Sequence, residues 1–123
     1  MEITQLDVLK AGLFFVFVFA SGIWLRISGK PYSTVKLTLH KFIALGTFIY
    51  LILAVYRMHQ AASLSAGQLG ASITSGVLFV ATIITGGLVS VEKEMPASVL
   101  ILHKISPYLT LLVSALALFL LIR

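Results

Sequence analysis

Residues 97–122 read ASVLILHKISPYLTLLVSALALFLLI, and Lys104 is the only side chain among them with a fixed charge. The stretch exceeds the about 20 apolar residues that carry a helix across a ~30 Å hydrocarbon layer. Near its start stands Leu102-His103-Lys104. The same triplet, Leu39-His40-Lys41, opens an earlier apolar run 63 residues upstream. Two further runs of similar length complete the chain, so helices are expected at about 8–26, 35–57, 71–91 and 96–122. Strict alternation is scarce, and a spanning segment must satisfy its own backbone hydrogen bonds, so helices are expected rather than a barrel. The expected fold is all-α: a polytopic membrane protein forming a four-transmembrane-helix bundle, one membrane domain over residues 1–123.

Composition agrees with this reading. The chain is 59% hydrophobic and 11% charged, with a mean hydropathy of +1.09. A soluble domain has roughly 45–50% apolar and about 25% charged residues. Nine Lys and Arg against four Asp and Glu give a net charge of +5. These cations fall in the gaps between apolar runs, as in membrane proteins, so no nucleic-acid partner is expected. The absence of cysteine excludes disulfides, thiolate metal sites and covalent haem attachment. The first run opens with Glu2 and Asp7 rather than a basic stretch, so it is read as a span and not as a cleaved signal.

The breaks between runs are Ser28-Gly29-Lys30-Pro31-Tyr32-Ser33, Gln60 to Gly70, and Glu92-Lys93-Glu94 before Pro96. Pro96 suits a first helical turn. Pro107, inside the fourth run, removes the hydrogen bond to the carbonyl of His103 and is expected to kink the helix. Arg26, Lys30, Lys36, Lys41, Lys93 and Lys104 gather at the 1–2 and 3–4 links, whereas Lys10, Arg57 and Arg123 lie at the other end. The positive-inside rule then puts both termini outside and those two links in the cytoplasm, in a prokaryotic cytoplasmic membrane. Trp24, Tyr32 and Tyr56 fit interfacial belts.

The two triplets belong to a longer repeat, 8–57 against 71–122. At a shift of 63, His40 meets His103, Thr47 meets Thr110 and Ala54 meets Ala117. At a shift of 64, Gly12 meets Gly76, Phe15 meets Phe79, and Ser21-Gly22 meets Thr85-Gly86. Two copies of a helical hairpin in the same orientation imply a pseudo-twofold axis along the membrane normal. Helices 2 and 4 then share a diagonal, with His40 and His103 at one depth.

Facing imidazoles at one level invite a metal, since the neutral ring is the commonest protein ligand. Haem iron accepts one axial nitrogen on each face, and bundle cores build such sites from opposed helices. The expected site has His40 and His103 as iron ligands. Gly22 and Gly86 leave room for the ring edges. Thr47 and Thr110 line the same helix faces, with their hydroxyls bonded to backbone or to a neighbouring helix. Lys41 and Lys104, with Lys36 and Arg26, are available to the propionates. His59 lies about 28 Å further along helix 2 than His40. The last residues of the fourth run offer it no partner histidine, so one haem per chain is expected.

Four helices with Leu39-His40-Lys41 and Leu102-His103-Lys104 on a diagonal resemble the cytochrome b561-type membrane haem proteins. That resemblance implies non-covalent haem b, His40 and His103 as axial ligands, and one-electron transfer with a quinone or a protein partner. It points to an electron-transfer protein or oxidoreductase subunit rather than a stand-alone enzyme. Many members of that family carry two haems, and the second histidine pair is missing here. The alternative is a cofactor-free small membrane transporter or assembly subunit. Small multidrug transporters depend on an acid inside helix 1, and the sequence places Asp7 only at the edge of that helix. The lipid bilayer is the one obligatory partner, and the exposed apolar surface of a small bundle also permits an oligomer.

Overall fold

The computed structural model describes residues 3–91 and 94–122, except for the side chains of residues 3 and 4. Glu2, Glu92, Lys93 and Arg123, used above in reading the first run, the links and the charge bias, lie outside the described residues. The chain forms α1 (Ile3–Ser28), α2 (Thr34–Ala61), α3 (Ala66–Ser90) and α4 (Ala97–Ile122). All four are long and apolar enough to cross a bilayer, so the protein is an all-α integral membrane bundle.

The helices outrun the apolar runs because their flanking turns are polar but still helical. α1 begins five residues before the apolar boundary at 8, α2 continues to Ala61 and α3 begins at Ala66. At the start of α3, Ser65 accepts from the Gln68 backbone N–H, while the Gln68 side chain accepts from the Ser65 N–H. This reciprocal capping box satisfies two of the helix's free donors. α1 ends where Gly29, at φ +72°, returns its N–H to the Leu25 carbonyl. That left-handed conformation is one glycine adopts without a Cβ clash. Pro96 stands just before α4 rather than within its first turn. Its carbonyl receives the N–H groups of Val99 and Leu100. α4 runs unbroken through Pro107.

α1 packs chiefly on α2, and α3 chiefly on α4. Thinner contacts of α2 with α3 and of α1 with α4 close the ring. α2 and α4 therefore lie on one diagonal. The core is built from repeat-matched pairs: Ala11 with Ser75, Phe15 with Phe79, Thr47 with Thr110, and Ala54 with Ala117 are all buried. Phe15 and Phe79 meet across the other diagonal with ring centroids 6.0 Å apart, and Phe48 joins Phe79 at 5.3 Å. Outward-facing side chains are large and apolar. Ile27, Phe42 and Leu112 remain 80%, 68% and 67% exposed, which in this fold means facing lipid rather than water.

Trp24, Lys36 and Ser28 mark one interface. The Lys36 ammonium lies 4.8 Å from the centre of the Trp24 ring and donates to Ser28 Oγ at 2.8 Å. Lys30 spans the two hairpins at this end by donating to the Val91 carbonyl at 3.3 Å.

Candidate functional site

His40 and His103 each stand six residues into their helix, at the same end of the bundle. That is about 9 Å of helix from the start. Both are half-buried.

Each imidazole is held by its own hairpin. Ser21 Oγ lies 2.7 Å from His40 Nδ1, and Thr85 Oγ1 lies 3.0 Å from His103 Nδ1. Each hydroxyl also donates to a carbonyl three residues back in its own helix: Ser21 to Val18 and Thr85 to Thr82, both at 3.0 Å. A hydroxyl has one proton to give. With that proton on the carbonyl, the oxygen presents a lone pair to the ring, and the bonding network assigns the imidazole proton to Nδ1. In that tautomer Nε2 of each ring is the unprotonated nitrogen, the one able to bind a metal.

The glycines explain how the rings fit. A Cβ on Gly22 would stand 3.1 Å from Cε1 of His40, and one on Gly86 would stand 2.8 Å from Cε1 of His103. Their space is taken by imidazole, so the glycines seat the two histidines. Gly87 has nothing within 4 Å of its would-be Cβ.

Thr47 and Thr110 lie seven residues beyond the histidines, fully and almost fully buried. Thr47 donates to the Ile43 carbonyl and Thr110 to the Ser106 carbonyl, each at 2.8 Å. Thr110 also stands 3.0 Å from Thr82 Oγ1, which ties α4 to α3. Lys41 and Lys104 are exposed and hold no partner among the described residues, and the same is true of Arg26. Lys36, by contrast, is committed to Trp24 and Ser28. Ser106, which sequence reasoning did not single out, carries a buried hydroxyl without a partner one turn beyond His103.

His59 is exposed, and its Nδ1 accepts from the Leu64 N–H at 3.2 Å, so it serves the turn after α2. No group of three or more His, Cys, Asp or Glu side chains is assembled among the described residues. A bare ion at the histidines would thus find two protein donors, fewer than a closed structural site needs. A metal that brings its own in-plane donors needs only two. Two histidines are the number of protein donors such a metal would need.

At the other end of the bundle one expectation fails. Asp7 lies inside α1, not at its edge, and is 4% exposed. Its Oδ1 accepts from Tyr50 Oη at 2.7 Å and from Arg57 Nη2 at 3.3 Å. The helix starts at Ile3, and α2 runs alongside far enough to cover the carboxylate. Comparisons with protein-family models, curated proteins and solved structures match nothing to this chain.

Proposed function

We propose that the protein is a b-type cytochrome of the prokaryotic cytoplasmic membrane, similar in plan to the cytochrome b561-type proteins. It would hold one haem b between His40 and His103 and pass single electrons to or from a quinone or a redox protein. The carrying observation is the duplicated hydroxyl–imidazole pair, Ser21–His40 and Thr85–His103, at matching positions of the repeat. Haem, held by His40 and His103, would supply a one-electron centre. The protein's part is to orient. Ser21 and Thr85 fix the tautomer and the tilt of each ring, as outer-shell partners of metal-ligating histidines do. Lys41, Lys104 and Arg26 are free to balance propionate charge at the near boundary. The charge bias supports an orientation with the histidine end toward the cytoplasm and both termini outside.

The test is an absorption spectrum of the purified protein, oxidised and then reduced with dithionite. The expected result is the sharp α-band of reduced low-spin haem b, lost in His40→Ala and in His103→Ala and kept in His59→Ala. A protein that stays colourless when haem is supplied during expression overturns the proposal. Asp7, an acid 4% exposed near the start of α1, is the observation on the side of a second reading, a cofactor-free transporter. A colourless protein is the outcome that reading requires.

A further inference from the structure

In the half of the bundle away from the histidines, the two hairpins leave a groove on each side of the Phe15–Phe79 contact. The larger, about 480 Å³, lies between α2 and α3 and is backed by the buried Ser114 and Ala117 of α4. The smaller, about 280 Å³, lies between α1 and α4. The repeat relates them: Gly76 and Phe79 of the first match Gly12 and Phe15 of the second, and Phe48 and Ile52 match Leu111 and Ala115. Their chemistry differs. The larger groove reaches Ser75 and Ser114, whose repeat counterparts are Ala11 and Leu51, and no polar side chain lines the smaller.

The hydroxyl protons at this depth can be counted. Thr82 and Thr110, one turn nearer the histidines, each donate to a carbonyl of their own helix, so both protons are placed. Ser75 Oγ and Ser114 Oγ lie 2.5 Å apart, and neither has another partner among the described residues. Two hydroxyls carry two protons and share one bond, so one O–H is left without an acceptor. Both side chains are at least nine-tenths buried. A donor in that position costs free energy unless something else accepts from it. Ser75 stands nine residues into α3, about 14 Å along the helix. That is inside the hydrocarbon, below the level of phospholipid headgroups, and an acyl tail carries no acceptor.

We infer that the α2–α3 groove binds a lipid-soluble quinone, with a ring carbonyl oxygen accepting the spare proton of the Ser75–Ser114 pair. The groove opens toward lipid past Ile52, Ile73 and Val77, all at least half exposed, so such a molecule enters sideways from the bilayer. Phe48 and Phe79, with ring centroids 5.3 Å apart, offer a flat ring an aromatic wall. The apolar lining suits a prenyl tail. A volume of about 480 Å³ lies within the usual range for a small-molecule site. The need for an uncharged, lipid-dissolved molecule with a carbonyl head comes from the groove itself; the choice of a quinone within that class rests on the electron transfer proposed above.

The experiment is photolabelling of the full-length protein in lipid vesicles with an azido-benzoquinone carrying a decyl tail, mapped by mass spectrometry. Label should fall on residues 48–55 and 69–80 and not on residues 8–15. Unlabelled decyl-benzoquinone should displace it, and decylbenzene, which has no carbonyl, should not. A Cβ at Gly76 meets nothing within 4 Å, and the same holds at Gly12. Gly76→Leu therefore fills the larger groove without a clash and should abolish labelling, whereas Gly12→Leu fills the smaller one and should leave labelling unchanged. Ser75→Ala should weaken quinone competition several-fold. The inference is overturned if both grooves are labelled equally, if Gly76→Leu changes nothing, or if decylbenzene competes as well as the quinone. Each of those results would mean that lipid chains fill the groove. Labelling needs no haem and is read on coloured and colourless protein alike, so a failure here is distinguishable from a failure of the haem proposal.

Discussion

A methyl group added at Gly86 would stand 2.8 Å from Cε1 of His103, closer than side-chain carbons approach one another. At Gly22 the distance to His40 is 3.1 Å, which a displacement of a few tenths of an ångström relieves. At Gly87 there is open space. Haem content after substitution by alanine should therefore fall most for Gly86→Ala, less for Gly22→Ala and not at all for Gly87→Ala. All three gain helix propensity, by up to about 1 kcal/mol, so a loss of haem cannot be a loss of helix. Equal loss at all three would show that glycine there serves helix contact in general. The hydroxyls give a second residue-scale prediction. Thr85→Val keeps the volume and removes the acceptor for His103 Nδ1, as Ser21→Ala does for His40. Each should weaken haem binding about 10–100-fold, read by haem titration of apoprotein. Unchanged affinity in both would remove the tautomer argument. Sequence alone could pair Ser21 with Thr85 and His40 with His103 by repeat. It could not show that the pairs touch, because the contact depends on how each hairpin's two helices are rotated.

At the scale of the element, α3 and α4 are joined by hydroxyl–hydroxyl pairs, whereas the hydroxyls that cross between α1 and α2 meet a histidine and a carboxylate. Ser75 lies 2.5 Å from Ser114 and Thr82 lies 3.0 Å from Thr110. The matching position to Ser75 in α1 is Ala11, fully buried and apolar. Such interhelical bonds in a bilayer are worth about 0.6 kcal/mol on average and up to about 1.7. Ser114→Ala should cost an amount in that range in reversible unfolding from mixed micelles. Thr74→Ala should cost nothing measurable, because Thr74 is exposed and bonds only to its own helix at Gly70. Indistinguishable costs would deny the α3–α4 contact its stabilising role. Helix identity was legible from apolar run length, but helix ends were not. Ser65-Ala66-Gly67-Gln68 carries the capping-box spacing in plain view, and it places the start of α3 at Ala66 rather than 71. Reading apolar length alone passes over such polar turns. The same bias set Asp7 at a helix edge, since a run counted from Val8 cannot include it.

At the scale of the whole molecule, the pseudo-twofold relation is kept where the core is shared and broken where the ends differ. Phe15 and Phe79, equivalent in the repeat, meet each other across a diagonal, as residues on a symmetry axis must. The histidine level follows the repeat, whereas Asp7, Tyr50 and Arg57 have Ala71, Val113 and Leu120 as counterparts and so occur once. A duplicated hairpin thus carries a symmetric site at one boundary and an asymmetric one at the other, which makes orientation a functional question. The absence of cysteine lets a single introduced thiol report the side without background. Ser33 is exposed at the N-terminus of α2 and makes no capping bond, and Ser63 is exposed in the 2–3 link, so both tolerate replacement. With the histidine end in the cytoplasm, a membrane-impermeant maleimide added to intact cells should modify Ser63→Cys at once. Ser33→Cys should react only after permeabilisation. The reverse pattern would turn the bundle over and put the Asp7 end on the cytoplasmic side. Labelling of both thiols in intact cells would mean that the chain inserts in both directions, as a six-to-three charge bias in short links permits.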